Sequence, residues 1–127
     1  MAITLPSDLT KIRPLEGAIV RRLTAGTGGV TEGAVVVDGS DGVVLADGNA
    51  GNKLVKGIAL KAASAGNVCP VVVFGPVGGY TGCTVGAAIY PDDTTAGLAT
   101  ETASTYKIAV GTAETAAIVF VKPGYIP

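Results

Sequence analysis

The feature that most constrains this chain is how briefly any apolar run lasts before something interrupts it. Val35-Val36-Val37 stops at Asp38-Gly39, Val43-Val44-Leu45-Ala46 at Asp47-Gly48-Asn49, and Val71-Val72-Val73-Phe74 at Gly75-Pro76. Short β-branched runs bounded by Gly, Asp, Asn or Pro are the pattern of strands joined by tight turns, whereas helices need longer periodic stretches. The pattern predicts strands at 18–23, 33–38, 42–46, 54–59, 71–74, 87–90, 106–112 and 118–121. Turns are expected at Gly26-Thr27-Gly28-Gly29, Asp38-Gly39-Ser40-Asp41-Gly42, Asp47-Gly48-Asn49, Gly78-Gly79 and Pro91-Asp92-Asp93. An all-β chain with strands this short predicts a small barrel or sandwich. Runs without strict alternation, such as Val35-Val36-Val37, predict cover on both faces, from a second sheet or a neighbouring subunit.

The runs also recur in order. Val30-Thr31-Glu32-Gly33-Ala34-Val35-Val36-Val37 lies over Cys83-Thr84-Val85-Gly86-Ala87-Ala88-Ile89-Tyr90. Leu54-Val55-Lys56-Gly57-Ile58-Ala59 lies over Ile108-Ala109-Val110-Gly111-Thr112-Ala113, and Val71-Val72-Val73-Phe74-Gly75-Pro76 over Ile118-Val119-Phe120-Val121-Lys122-Pro123. Two related β units, about 30–77 and 83–124, cannot each bury an apolar face alone and so predict one joint core. The chain then divides into an extended N-terminal arm, 1–14, with Pro6, Pro14 and little periodicity, and a single β domain, 15–127.

Composition narrows the chemistry. The 127 residues include no histidine, which removes Ser-His-Asp and Cys-His catalysis, imidazole metal ligation and a switch near neutral pH. Nine basic and ten acidic groups leave a formal charge of −1, which provides no field for nucleic acid or an anionic membrane. Four of the bases fall at Lys11, Arg13, Arg21 and Arg22, so the N-terminal part is locally positive. Met1-Ala2-Ile3-Thr4 lacks the basic start and apolar run of a secretory leader, so the chain is expected to be made in the cytoplasm. Cys69 and Cys83 are too few for a disulfide framework and are expected to pack as small buried hydrophobes.

No motif survives as a catalytic, cofactor or metal site. Asp38, Asp41 and Asp47 resemble a calcium loop at a glance, but the spacing fits no EF-hand and Asp-Gly is ordinary hairpin chemistry. Asp92 and Asp93 with Glu101 and Glu114 could be read as glycosidase carboxylates, yet adjacent strand residues point to opposite faces and Pro91-Asp92-Asp93-Thr94 reads as a turn. Gly75-Pro76-Val77-Gly78-Gly79 precedes no helix carrying Lys-Ser/Thr, so it is no phosphate cradle. Tyr80, Tyr90, Tyr106 and Tyr125 are scattered among few positive charges, unlike a single-strand nucleic-acid groove.

The second repeat resembles a pattern of tailed-phage head proteins. Its residues are Val85-Gly86-Ala87-Ala88-Ile89-Tyr90-Pro91-Asp92-Asp93, then Gly97-Leu98-Ala99-Thr100, then Ile108-Ala109-Val110-Gly111-Thr112-Ala113 and Ile118-Val119-Phe120-Val121-Lys122-Pro123. Small capsid decoration (cement) proteins carry such a formula, and the resemblance spans roughly Val30 to Pro123, departing from the simplest form by showing two copies. It implies a small β-barrel or tulip-like sandwich, a homotrimer on the virion surface that binds the major capsid protein and clamps capsomers together, without enzymatic activity or cofactor. An extended arm could add a strand to an exposed sheet edge of the shell, with Ile3, Leu5, Leu9, Lys11, Ile12 and Arg13 as capsid-binding residues. The alternative is a glycan-binding or host-adhesion β module in which Tyr80, Tyr90 or Tyr125 stack on sugar.

Overall fold

A computed structural model describes residues 12–48, 54–103, 105 and 108–125 of the chain. The described residues contain ten strands and no helix: β1 (Arg13–Pro14), β2 (Ile19–Thr24), β3 (Val35–Asp38), β4 (Val43–Leu45), β5 (Val55–Ala59), β6 (Val68–Gly78), β7 (Ala88–Pro91), β8 (Ala99–Thr100), β9 (Ile108–Ala113) and β10 (Ile118–Tyr125). Every pairing between them is antiparallel. They form one curled sheet in the order β4-β3-β5-β6-β10-β9-β7-β8, with β1 and β2 on β6. The chain is therefore an all-β body of the small barrel or sandwich kind.

That strand order reads the same from either end, because β3–β6 and β7–β10 are wired alike. The turns explain the likeness at the level of single hydrogen bonds. In Thr31-Glu32-Gly33-Ala34 the Ala34 N–H donates to the Thr31 carbonyl at 3.2 Å, and in Thr84-Val85-Gly86-Ala87 the Ala87 N–H donates to Thr84 at 3.0 Å. The third residue of such a turn needs positive φ, which glycine takes without a Cβ clash; Gly33 has φ +76° and Gly86 φ +84°. Each glycine then donates to the far strand, Gly33 to Ala59 at 2.7 Å and Gly86 to Ala113 at 2.8 Å. Gly57 and Gly111 hold matching places as well, opposite Val36 and Ile89. A Cβ at Gly57 would run into the Val72 carbonyl, and one at Gly111 into the Phe120 carbonyl. Those contacts put Val72 and Phe120 at equivalent places, one residue out of step with the sequence alignment, which matches Val72 to Val119.

The largest departure from the sequence expectation is β6. The expected strand at 71–74 stops at Gly75-Pro76, but the strand runs through both residues to Gly78. Gly75 adopts φ +110°, and a Cβ there would lie 2.6 Å from Ala18 Cα, so the backbone bends where another segment crosses it closely. Pro76 lacks an N–H, yet its carbonyl accepts from Leu15 at 3.0 Å. Before the bend β6 pairs with β5 and β2; after it, with β10 and β1. The break signal in the sequence is thus a bend that carries one strand from one half of the sheet to the other. β1 has no apolar run to announce it. β8 falls within Gly97-Leu98-Ala99-Thr100, where the phage-like formula, though not the run pattern, places a strand.

β6 is exposed at Val68 and Phe74 but carries buried side chains on both of its faces. Val72 and Val77 belong to the larger core cluster with Val35, Ile58, Ile89, Val110 and Val121. Cys69 and Val71 belong to a second cluster with Val36, Val43 and Ala59. Unbroken runs of valine suit a strand with apolar neighbours on both sides. Both cysteines are free and buried.

Candidate functional site

Five of the carboxylates singled out in the sequence, those of Asp38, Asp41, Asp92, Asp93 and Glu101, are engaged by a lysine or by threonine donors. Asp38 forms an exposed ion pair with Lys56 at 3.3 Å. Asp41 accepts from the Thr27 hydroxyl at 2.5 Å and the Thr27 N–H at 3.1 Å, and these bonds hold its carboxyl below the usual carboxylate range. The Asp38–Gly42 segment is a hairpin turn: Asp38 pairs with Val43, and the Gly39 N–H donates to Gly42 at 2.7 Å. Asp92 accepts from the Thr94 and Thr95 N–H groups at 3.0 and 2.7 Å, closing the turn after β7. Asp93 takes the Thr105 hydroxyl at 2.7 Å, and Glu101 takes the Thr84 hydroxyl at 3.0 Å together with the Thr84 N–H. Three times, then, a carboxylate grips both donors of one threonine across a loop. Among the described residues no group of three or more Asp, Glu or Cys could hold a metal ion.

Two of the tyrosines considered for sugar stacking are inside the protein. Tyr80 is 1% exposed and Tyr90 8%, so neither offers a ring face to a ligand. The Tyr80 hydroxyl donates to the Gly33 carbonyl at 2.7 Å, and burial pushes the phenol well above its ordinary range. The Tyr125 side chain lies outside the described residues, as does Tyr106. Burial likewise raises both thiols, with the Glu101 charge a second cause at Cys83.

Ile3, Leu5, Leu9 and Lys11 of the expected capsid-binding arm also lie outside the described residues. Ile12 is a correction to that set. It is 6% exposed within the main core cluster, and its N–H donates to Glu32, itself only 9% exposed, at 3.3 Å. An isoleucine held there is not a free anchor for another protein. Arg13 starts β1 and is exposed.

What remains is a surface. Of the exposed large apolar side chains Ile19, Val20, Leu54, Val68, Phe74 and Val85, four sit on β2 or on its partners in β6. Ile19 faces Phe74 across the ladder and Thr24 faces Val68. The chain's only two phenylalanines, Phe74 and Phe120, meet here edge to face at 5.2 Å. Arg21 and Arg22 stand exposed in the middle of β2. The sequence marked these arginines as local positive charge but carried no sign that they belong to an edge strand, because pairing partners are set by the fold. A second feature, an open groove of about 460 Å³ beside Gly28, Val30, Leu45, Ala63 and Ser64, has no charged side chain in its lining.

No protein family, curated protein or solved structure matches the chain. No helix among the described residues is long and apolar enough to cross a membrane.

Proposed function

We propose that the chain is a non-enzymatic structural protein of a phage virion, a decoration or cement protein that binds the outside of the head as a homotrimer and holds capsomers together. The observation that carries this reading is the use made of the polar side chains. Asp41, Asp93 and Glu101, three of the acids that could have served chemistry, clasp threonines across loops and so stiffen a small body. The phage-like formula of residues 85–123 supplies the direction, and a rigid body with complementary surfaces is all that such a role requires. The major capsid protein is the partner, and many modest contacts on one shell act together through multivalency.

The arm supplies the first contact in this reading, with Ile3, Leu5, Leu9 and Lys11 as its binding residues. The burial of Ile12 and the pairing of β1 with β6 set where a truncation can stop. Removing residues 1–11 spares both, whereas removing 1–14 takes a residue out of the core. Co-sedimentation with assembled, expanded shells tests the proposal. The full chain pellets with the shells, and the chain lacking 1–11 stays in the supernatant while keeping its far-UV spectrum. A full chain that fails to pellet refutes the proposal, and equal pelleting by both refutes the role of the arm.

A further inference from the structure

We propose that the outer edge of β2 is a docking edge for an extended acidic segment of a partner protein, which adds to the sheet as a further antiparallel strand. β1 and β2 run along one edge of β6 from Arg13 to Thr24, and among the described residues no strand pairs with their other side. Backbone groups on such an edge are a template for another chain, and proteins that leave an edge bare usually blunt it. Here the blunting is partial. Ile19, Val20 and the neighbouring Phe74 keep the edge apolar, while Arg21 and Arg22 occupy its centre with no ion pair among the described residues. Arginine beside exposed aromatic and aliphatic groups is the composition of interface centres.

The two arginines select the occupant. A symmetric antiparallel pairing of β2 with β2 of a second copy opposes residues of one parity, so a pairing centred on the arginines would set Arg21 opposite Arg21 or Arg22 opposite Arg22, which is unfavourable across a ladder. A strand bearing two consecutive acids removes the repulsion and pairs both guanidinium groups, one on each face of the sheet, since successive strand residues alternate sides. Its neighbours would lie against Leu23 on one side and Val20 on the other. The recognised pattern is therefore apolar-acid-acid-apolar, read antiparallel to Leu23-Arg22-Arg21-Val20. Main-chain hydrogen bonds provide affinity and the charge pairs provide register. This inference is independent of the capsid reading, because it rests on the edge and its charges alone.

Titration of the isotopically labelled full chain with hairpin peptides tests it. One peptide carries a Val-Glu-Asp-Val strand and the other Val-Lys-Lys-Val. The acidic peptide shifts amide signals along Ile19–Thr24, and the basic one does not. Arg21→Glu with Arg22→Glu weakens the acidic peptide at least about tenfold and gains binding to the basic peptide, with an unchanged melting temperature. Arg21→Gln with Arg22→Gln, the milder pair, weakens the acidic peptide without gaining the basic one. Shifts centred elsewhere, no shifts, equal binding of the two peptides, or undiminished binding by the variants overturns the proposal. So does a wild-type protein whose β2 amides are already protected by self-association.

Discussion

Replacing Tyr80 with phenylalanine removes one oxygen from the largest fully buried side chain and leaves the ring to fill its place. The lost contact is the 2.7 Å hydrogen bond to the Gly33 carbonyl, made inside the protein between the segment after β6 and the turn before β3. A buried acceptor left without a donor costs about 1–3 kcal/mol. Taking about 2 kcal/mol and a urea dependence of about 2 kcal/mol per molar, the unfolding midpoint falls by about 1 M urea. Amide exchange at Ala34 and Ala59, which bracket the same turn, should quicken in parallel. A second readout comes from the phenol. Its pKa in the folded protein is raised above the ordinary 10.0 by burial, so the folded state keeps a proton that the unfolded state releases. That contribution is fully present below pH 10 and is lost as pH rises beyond it, at about 1.4 kcal/mol per pH unit. The variant lacks this loss, so the stability difference between the two proteins shrinks above pH 10. Urea titrations followed by far-UV circular dichroism from pH 7 to pH 11 measure both effects. A midpoint at pH 7 within about 0.3 M of wild type, or a difference that stays constant through pH 11, would refute the reasoning.

Other outcomes follow from particular residues. Gly111→Ala places a methyl group on the Phe120 carbonyl and should cost more than about 4 kcal/mol or prevent folding. Gly86→Ala, at φ +84° with open space around it, should cost only about 1 kcal/mol, and a reversed order in denaturant midpoints would count against the sheet register. The Asp41 carboxyl should titrate below its ordinary 3.8 because Thr27 stabilises the ionised form. The stability from this pair is present above pH 3.8 and lost as pH falls through the lower folded value. Thr27→Val should move the carbon-detected titration back up, and an unmoved midpoint would show that the clasp is not the cause. Cys69 and Cys83 should be unreactive towards a thiol reagent at pH 7.5 until urea unfolds the chain; fast labelling of the native protein would contradict their burial.

The residues show why some of this was legible and some was not. Val35-Val36-Val37 and Val71-Val72-Val73 announce strands covered on both faces because β-branched repetition is a local property, and two apolar clusters lie against them. Thr31-Glu32-Gly33-Ala34 escaped the run pattern, which starts a strand at Gly33; the strand begins at Val35 because Gly33 takes positive φ to close a turn. Gly75-Pro76 misleads because the same pair that ends a strand elsewhere here bends one that continues, and the crossing of Ala18 that requires the bend is a long-range fact. The tyrosines mislead similarly: Tyr80 looks like any surface ring until its hydroxyl finds Gly33, far away in sequence. Arg21 and Arg22 are visible as charge, but their position on an unpaired edge depends on which strands β6 accepts. The acids Asp41, Asp93 and Glu101 were recognisable as candidates, while their threonine partners, each distant in sequence, were not.

The proposed role on a phage head is tested most directly by a binding isotherm of the full chain on expanded shells. The account predicts saturation at a fixed ratio of protein to shell subunits, with the trimer as the bound unit, and a higher temperature of shell disruption at saturation. Absence of binding, or binding that never saturates and leaves the shell no more resistant to heat, would contradict it.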